Sequence, residues 1–250
     1  MSTILKVRDL SKQFNDENGL RTIIGDLNLE VEQGEFLCIL GPSGCGKTTF
    51  LRCVAGFEDY KGTIEYDGKI VKDPGIDRMM VFQDFNQLFP WKTVEKNVQY
   101  PLKLMNKYSK DELKDISDEV LKKVKLEDFA KYYPHQLSGG MKQRVAIAKA
   151  LAVKSKMILM DEPFAALDAI SRRELQREVL DIWENNECTI LFVTHNIQEA
   201  LFLGSRIIVM NNGGIIAYDK KNELEKPVTP ETEGFGKVWG ELNDAINGKG

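Results

Sequence analysis

Long apolar runs are missing from this 250-residue chain. None reaches the roughly 18 apolar residues that a bilayer-spanning helix needs, and the opening MSTILKVRDL holds no secretory apolar core. Any membrane connection is therefore expected to run through a partner. Cysteine is scarce as well: Cys38, Cys45, Cys53 and Cys188 fall into neither a zinc spacing nor a disulfide framework, which points to a reducing cytosol. Charge of one sign is also lacking. With 34 Lys and Arg against 38 Asp and Glu, a formal charge of −4 and no long basic tail, no nucleic-acid partner is expected. Histidine occurs only at positions 135 and 195, and there are no internal repeats or low-complexity tracts. The length is enough to bury a substantial core, as one large domain or as a core with an inserted lobe.

What is present is organised around Glu35 to Phe50, EFLCILGPSGCGKTTF. Phe36 to Leu40 is a short apolar run suited to a buried parallel strand. It stops at Gly41 to Thr48, GPSGCGKT, which fits the G-x-x-x-x-G-K-[ST] phosphate loop and precedes a helix-compatible stretch. Gly41, Gly44 and Gly46 let the backbone turn its N–H groups inward, and the following helix adds orphan donors and a positive dipole end. The natural guest is a polyphosphate. Lys47 supplies a point charge for the outer phosphates and the Thr48 hydroxyl is a magnesium ligand candidate. Pro42, Ser43, Cys45 and Thr49 complete the expected nucleotide-binding set.

Before this loop, Ile4–Val7 alternates as a strand, Phe14–Gly19 reads as a polar turn, and TIIGDLNLEV is a second strand pattern. Phe14 is either an adenine-stacking residue or an ordinary edge aromatic. After it, residues 62–68 read as a strand and turn, and Arg78 to Phe82 as a strand stopped by Gln83, whose side chain either enters a site or is simply polar surface. From Leu88 to about Val153 the pattern is helical, with Ser109 a cap three residues before Glu112. That segment ends in LSGGMKQRVAIAKALAV, where Ser138 is a cap candidate and Gly139 and Gly140 precede a helix; the turn is a second anion seat or a plain capped turn. Lys156 to Met160 is an apolar strand ending at Asp161-Glu162, two acids suited to different work. Asp161 can hold magnesium and Glu162 can orient and polarise a water. Asp168 opens a long helical pattern, Cys188 to Val193 is a buried strand closed by Thr194-His195, and residues 205–218 form a hairpin pattern. His195 ends its strand as the acid pair does, the edge where open α/β sheets place ligands; it is a phosphate sensor or a structural histidine. A short helix is expected around Phe235 to Ile246.

Taken together, these motifs resemble the nucleotide-binding subunit of an ATP-binding cassette transporter, over residues 4 to 225 in the expected order. LSGGM at 137–141, between the phosphate loop and ILMDEP, is the diagnostic piece. The resemblance implies an α/β fold: a P-loop NTPase core with an antiparallel β subdomain (1–87 and 154–225), an inserted α-helical subdomain (88–153) and a C-terminal tail (226–250). It implies ATP and Mg2+ as ligands, with Glu162, His195 and Gln83 as catalytic residues and Thr48, Gln83 and Asp161 as magnesium ligands. Phe14 matches the residue stacked on adenine, Ala166-Leu167-Asp168 the loop that crosses a dimer interface, and Ser138, Gly139 and Gly140 the turn that serves a partner's ATP. Asn196 departs from the acid usual after the switch histidine. Within the family, QLFPW at 87–91 and the segments around the acid pair and His195 are most similar to importers of nitrate, sulfonate, taurine and related small anions. The implied partners are a second copy of the chain, integral-membrane permease subunits and, indirectly, an extracytoplasmic solute-binding protein. The implied place is the cytoplasmic face of the cell membrane. A soluble cassette ATPase acting on a macromolecule and a nucleotide-binding regulatory module are the alternatives. The bulky Leu88-Phe89-Pro90-Trp91 is read either as a groove for a permease helix or as a plug docking the lobe onto its core.

Overall fold

The computed structural model describes residues 2–16, 19–84, 87–165, 167–186 and 188–248. The chain forms two compact units, Met1–Gly75 with Glu187–Gly250, and Ile76–Asn186. In chain order the first unit begins with β1 (Thr3–Asp16), β2 (Gly19–Glu32), β3 (Phe36–Leu40), α1 (Lys47–Ala55), β4 (Lys61–Tyr66) and β5 (Lys69–Ile70). The second unit holds β6 (Arg78–Val81), α2 (Val94–Leu104), α3 (Lys110–Lys123), α4 (Gly139–Ala152), β7 (Met157–Asp161) and α5 (Ala169–Asn186). The first then resumes with β8 (Thr189–Val193), α6 (Ile197–Leu203), β9 (Arg206–Asn211), β10 (Ile215–Lys221) and α7 (Phe235–Ile246).

Two sheets build the first unit. The antiparallel one runs β2-β1-β4-β5, and its alternation of buried and exposed residues follows from having one covered face. Within the expected polar turn at Phe14–Gly19 the strand β1 continues to Asp16, with Phe14 paired to Arg21 and Asn15 to Leu20. Glu17 and Asn18 of that turn lie outside the described residues. In the second sheet β9, β3 and β8 lie side by side and parallel, with β10 antiparallel on β9. Every residue of β3 and β8 is buried, as a strand with neighbours and coverage on both faces requires. The C-terminal α7 is in place as expected, with Leu242 and Ala245 buried and Asn211 donating to the Ala245 carbonyl at 3.1 Å.

The second unit pairs β6 and β7 in parallel and adds, among the described residues, the α-helices α2 to α5. Ser109 and Glu112 form the reciprocal capping box expected at the start of α3. Ser138 caps α4 by accepting the Met141 N–H at 3.3 Å. The glycines after it are the first turn of α4 rather than a linker before it. Asp168 caps α5, its Oδ1 accepting from the N–H groups of Ile170 and Ser171, each at 3.0 Å. Among the described residues no helix is long and apolar enough to cross a membrane.

Candidate functional site

The loop from Gly41 to Lys47 is shaped by steric exclusion. A Cβ on Gly41 would stand 2.1 Å from the Met210 carbonyl oxygen, and one on Gly46 would meet the Ile23 carbonyl oxygen at 3.1 Å. Only glycine lets the loop lie this close to β9 and β2. α1 then starts with no side-chain cap and no acid in its first turn, leaving its positive end for an anion. Lys47 is buried and folds back over the loop, its Nζ donating to the carbonyl oxygens of Gly41 at 2.8 Å and Pro42 at 2.9 Å. A buried ammonium held by neutral carbonyls, beside an uncapped helix start, is complementary to negative charge. Ser43, Gly44 and Thr48 are exposed on the loop, Pro42 and Thr49 are half-buried, and Cys45 is buried.

His195 leaves the sheet beside this loop. β8 is parallel to β3, with Ile39 opposite Val193 and the Thr194 N–H donating to the Ile39 carbonyl at 3.2 Å. The strand that ends in the loop and the strand that ends at His195 therefore open on the same edge. His195 is exposed between two tied residues: Thr194 donates its hydroxyl to Glu199 at 2.6 Å, and Asn196 caps α6 by accepting from the Gln198 and Glu199 N–H groups. α6 was not legible in the apolar pattern. Asn196, noted above only as a departure, is its start signal. Phe14 stands on β1 with its ring 39% exposed and the Lys12 ammonium 4.6 Å from its centroid.

The second unit repeats the arrangement with different chemistry. Val81 on β6 lies opposite Met160 on β7, so Gln83 and the Asp161-Glu162 pair emerge from adjacent parallel strands at one edge. Asp161 is buried, Glu162 is half-buried and Gln83 exposed. Glu162 has φ of 44°, a left-handed conformation that a residue with a Cβ adopts at a cost of roughly 1–3 kcal/mol, and it turns the chain sharply out of β7. The loop that follows is held by Arg172, which donates to the Phe164 carbonyl at 3.3 Å and the Leu167 carbonyl at 2.8 Å. Arg172 went unnoticed in the sequence, where it is one of two adjacent arginines. Ala166 lies outside the described residues. At the other end of the helical segment, Ser138 is exposed at the uncapped-by-acid start of α4, with Gly139 and Gly140 half-buried behind it.

All four cysteines are free and buried. Burial pushes the thiols up, Cys53 to about 12 and Cys188 to about 11, so they stay protonated and unreactive at neutral pH. Among the described residues no cluster of His, Cys, Asp and Glu could by itself hold a metal ion.

Comparison with known proteins finds related chains by family profile, by sequence and by fold. The profile of the ABC transporter family covers residues 24–165. The aliphatic sulfonates import ATP-binding protein of Bacillus cereus is 41% identical over 236 residues, 94% of this chain and 92% of that protein. The nitrate import ATP-binding protein of Synechococcus elongatus is 46% identical over 229 residues, 88% of this chain and 83% of that protein. Among solved structures, a dimeric ATP-binding cassette in a post-hydrolysis state with ADP and Pi superposes with a TM-score of 0.78 at 31% identity, over 88% of this chain and 99% of the other.

Proposed function

This chain belongs to the ABC transporter family, and we propose that it is the ATP-hydrolysing subunit that drives import of a small anion such as a sulfonate, nitrate or taurine. The observation that carries the reading is the pairing of strand ends. In one unit a phosphate loop opens beside His195; in the other Gln83 opens beside Asp161 and Glu162. The names of the sulfonate and nitrate relatives support an anion as cargo.

In this reading the nucleotide-binding set is Phe14, which stacks on adenine, and Gly41, Pro42, Ser43, Gly44, Cys45, Gly46, Lys47, Thr48 and Thr49, which take the phosphates. Lys47 gives up its carbonyl partners for the outer phosphates. The donors offered to a magnesium ion, the Thr48 hydroxyl, the Asp161 carboxylate and the Gln83 amide oxygen, are all hard oxygens, the set that ion prefers. When bound, the ion supplies charge neutralisation on the phosphates. Glu162 orients and polarises the attacking water while Gln83 and His195 position it against the γ-phosphate. Ser138, Gly139 and Gly140 serve the ATP of a second copy, in a two-fold closed dimer. The dimeric cassette similar to this chain supports that assembly. Permease subunits hold the chain on the cytoplasmic face of the membrane, and on the opposite face an extracytoplasmic binding protein selects the cargo. Residues 88–153 act as the lobe that meets the permease.

The experiment is Glu162→Gln in the complete transporter reconstituted in vesicles. It is expected to retain nucleotide binding and to lose both turnover and anion uptake, by a factor of roughly 100 or more. Full-rate hydrolysis by a preparation freed of contaminating ATPase removes Glu162 from its role. Hydrolysis in the unchanged transporter with no uptake of any tested sulfonate, taurine or nitrate overturns the cargo class.

A further inference from the structure

Gln83 does not stand on a loose loop. Gln87 closes the chain around it: Oε1 accepts the Phe82 N–H at 3.2 Å, and Nε2 lies 3.1 Å from the carbonyl oxygens of both Phe82 and Asp84. Gln83, between those two carbonyls, is carried on a pinned backbone arch while its own side chain is exposed. α4 grips the same arch. Gln143, fully buried, donates from Nε2 to the Phe82 carbonyl at 3.2 Å and accepts from Gln87 Nε2 at 3.3 Å. Further along α4, Lys149 donates to the Gln87 carbonyl at 3.1 Å and lies 5.6 Å over the Phe89 ring, where burial holds its pKa below the usual lysine value.

Gln143 belongs to the buried stripe Gln143, Ala146, Ile147 and Ala150 and is its polar member. Packing alone favours an apolar residue there, since a buried amide costs free energy unless its donor and acceptor are both used. Here both are used on the arch. Five residues earlier the same helix begins at Ser138, a separation of about 7.5 Å along a rigid axis.

We propose that Gln143 is a positioning residue that locks the arch bearing Gln83 to the helix bearing Ser138, so that the two shift as one body when nucleotide engages either. The inference rests on the roles given to Gln83 and Ser138 above. It requires no contact between Gln143 and nucleotide: a tilt of the arch pulls on the Gln143 amide, and a helix transmits that displacement to its first turn with little loss.

The test uses the full chain with Gln143→Met, which deletes both hydrogen bonds at similar volume, alone and combined with Gln83→Ala. ATP affinity is expected to stay within about twofold while turnover falls roughly tenfold, the cost of misplacing a group that orients the water. Amide exchange is expected to quicken together at residues 82–84 and 138–141. Added to Gln83→Ala, the change is expected to cost nothing more, because Gln143 acts through Gln83. Losses that multiply in the double variant, or faster exchange confined to 82–84, overturn the lock. If Gln83→Ala keeps full turnover, the role given to Gln83 falls, and the lock is judged on the exchange data alone: quickening at both segments supports it, and quickening confined to 82–84 overturns it. Should Gln143→Met not fold, Gln143→Glu, which keeps the acceptor for Gln87 but removes the donor to the Phe82 carbonyl, is read in the same way.

Discussion

Asn97, wholly buried near the start of α2, brackets Phe89 at both polar ends of its backbone: Oδ1 accepts the Phe89 N–H at 2.8 Å and Nδ2 donates to the Phe89 carbonyl at 3.2 Å. The same Nδ2 reaches the carbonyls of Lys92 and Thr93, both at 3.0 Å. One side chain thus fixes the turn that carries Trp91.

This separates the bulky cluster at 88–91 into two parts. Leu88 is buried and Phe89 packs edge-on to Tyr100 with centroids 4.6 Å apart, whereas Trp91 is 70% exposed. Asn97→Ala is expected to destabilise the isolated chain by about 2–3 kcal/mol, since it strands several buried backbone groups. Trp91→Gln, which removes only an exposed ring 5.5 Å from that of Phe89, is expected to cost no more than about 1 kcal/mol and to reduce copurification with the permease. Urea unfolding of each variant beside a pull-down of the permease checks both. A folded Trp91 variant that binds the permease normally removes Trp91 from the contact.

Gly41 and Gly44 provide a matched pair within one loop. Gly41→Ala drives a methyl into the Met210 carbonyl, whereas the space beside Gly44 is open and its cost is confined to φ of 81°. Expected losses are more than about 3 kcal/mol for the first and about 1–2 kcal/mol for the second. Thermal melts without nucleotide measure the difference, and equal costs refute the steric account of the loop.

Lys47→Ala is expected to weaken ATP binding by at least roughly tenfold while leaving a folded chain, because the ammonium's partners here, the Gly41 and Pro42 carbonyls and the Cys45 Sγ at 3.9 Å, all lie within its own loop. Equilibrium titration with a fluorescent ATP analogue reads this directly. Unchanged affinity rules out Lys47 as the phosphate ligand.

Acid sensitivity is expected at the start of α5. Side-chain and backbone hydrogen bonds from Ser171 hold the Asp168 carboxyl below its ordinary value of 3.8. A depressed folded value means the cap contributes in full above that ordinary value and is lost as pH falls through the lower folded one. Asp168→Asn keeps a capping oxygen without the titration, so its melting temperature is expected to fall less steeply than that of the unchanged chain below pH 4 or so. Parallel acid arms in the two curves contradict the assignment.

Dimerisation is expected to depend on nucleotide. In the Glu162→Gln background, ATP is expected to convert monomer to dimer in light scattering, and Ser138→Arg is expected to abolish the conversion without affecting ATP binding to the monomer. A dimer that forms equally without ATP places the interface elsewhere.

The sequence by itself determined the elements whose signals are local. A five-residue apolar run ending in glycines, a serine three residues before a glutamate, and two acids at a strand end each declare themselves within a few positions, because backbone sterics and capping act over one turn of chain. Only the tertiary structure decided which strand ends open together, since parallel strands pair through residues far apart in the chain and register is set by packing. It also decided that Trp91 is exposed while Phe89 is half-buried against Tyr100, and that Gln143, Asn97 and Arg172 hold backbone carbonyls. A polar side chain reads the same on paper in either setting; burial, which no local pattern states, is what turns its hydrogen bonds into structural requirements.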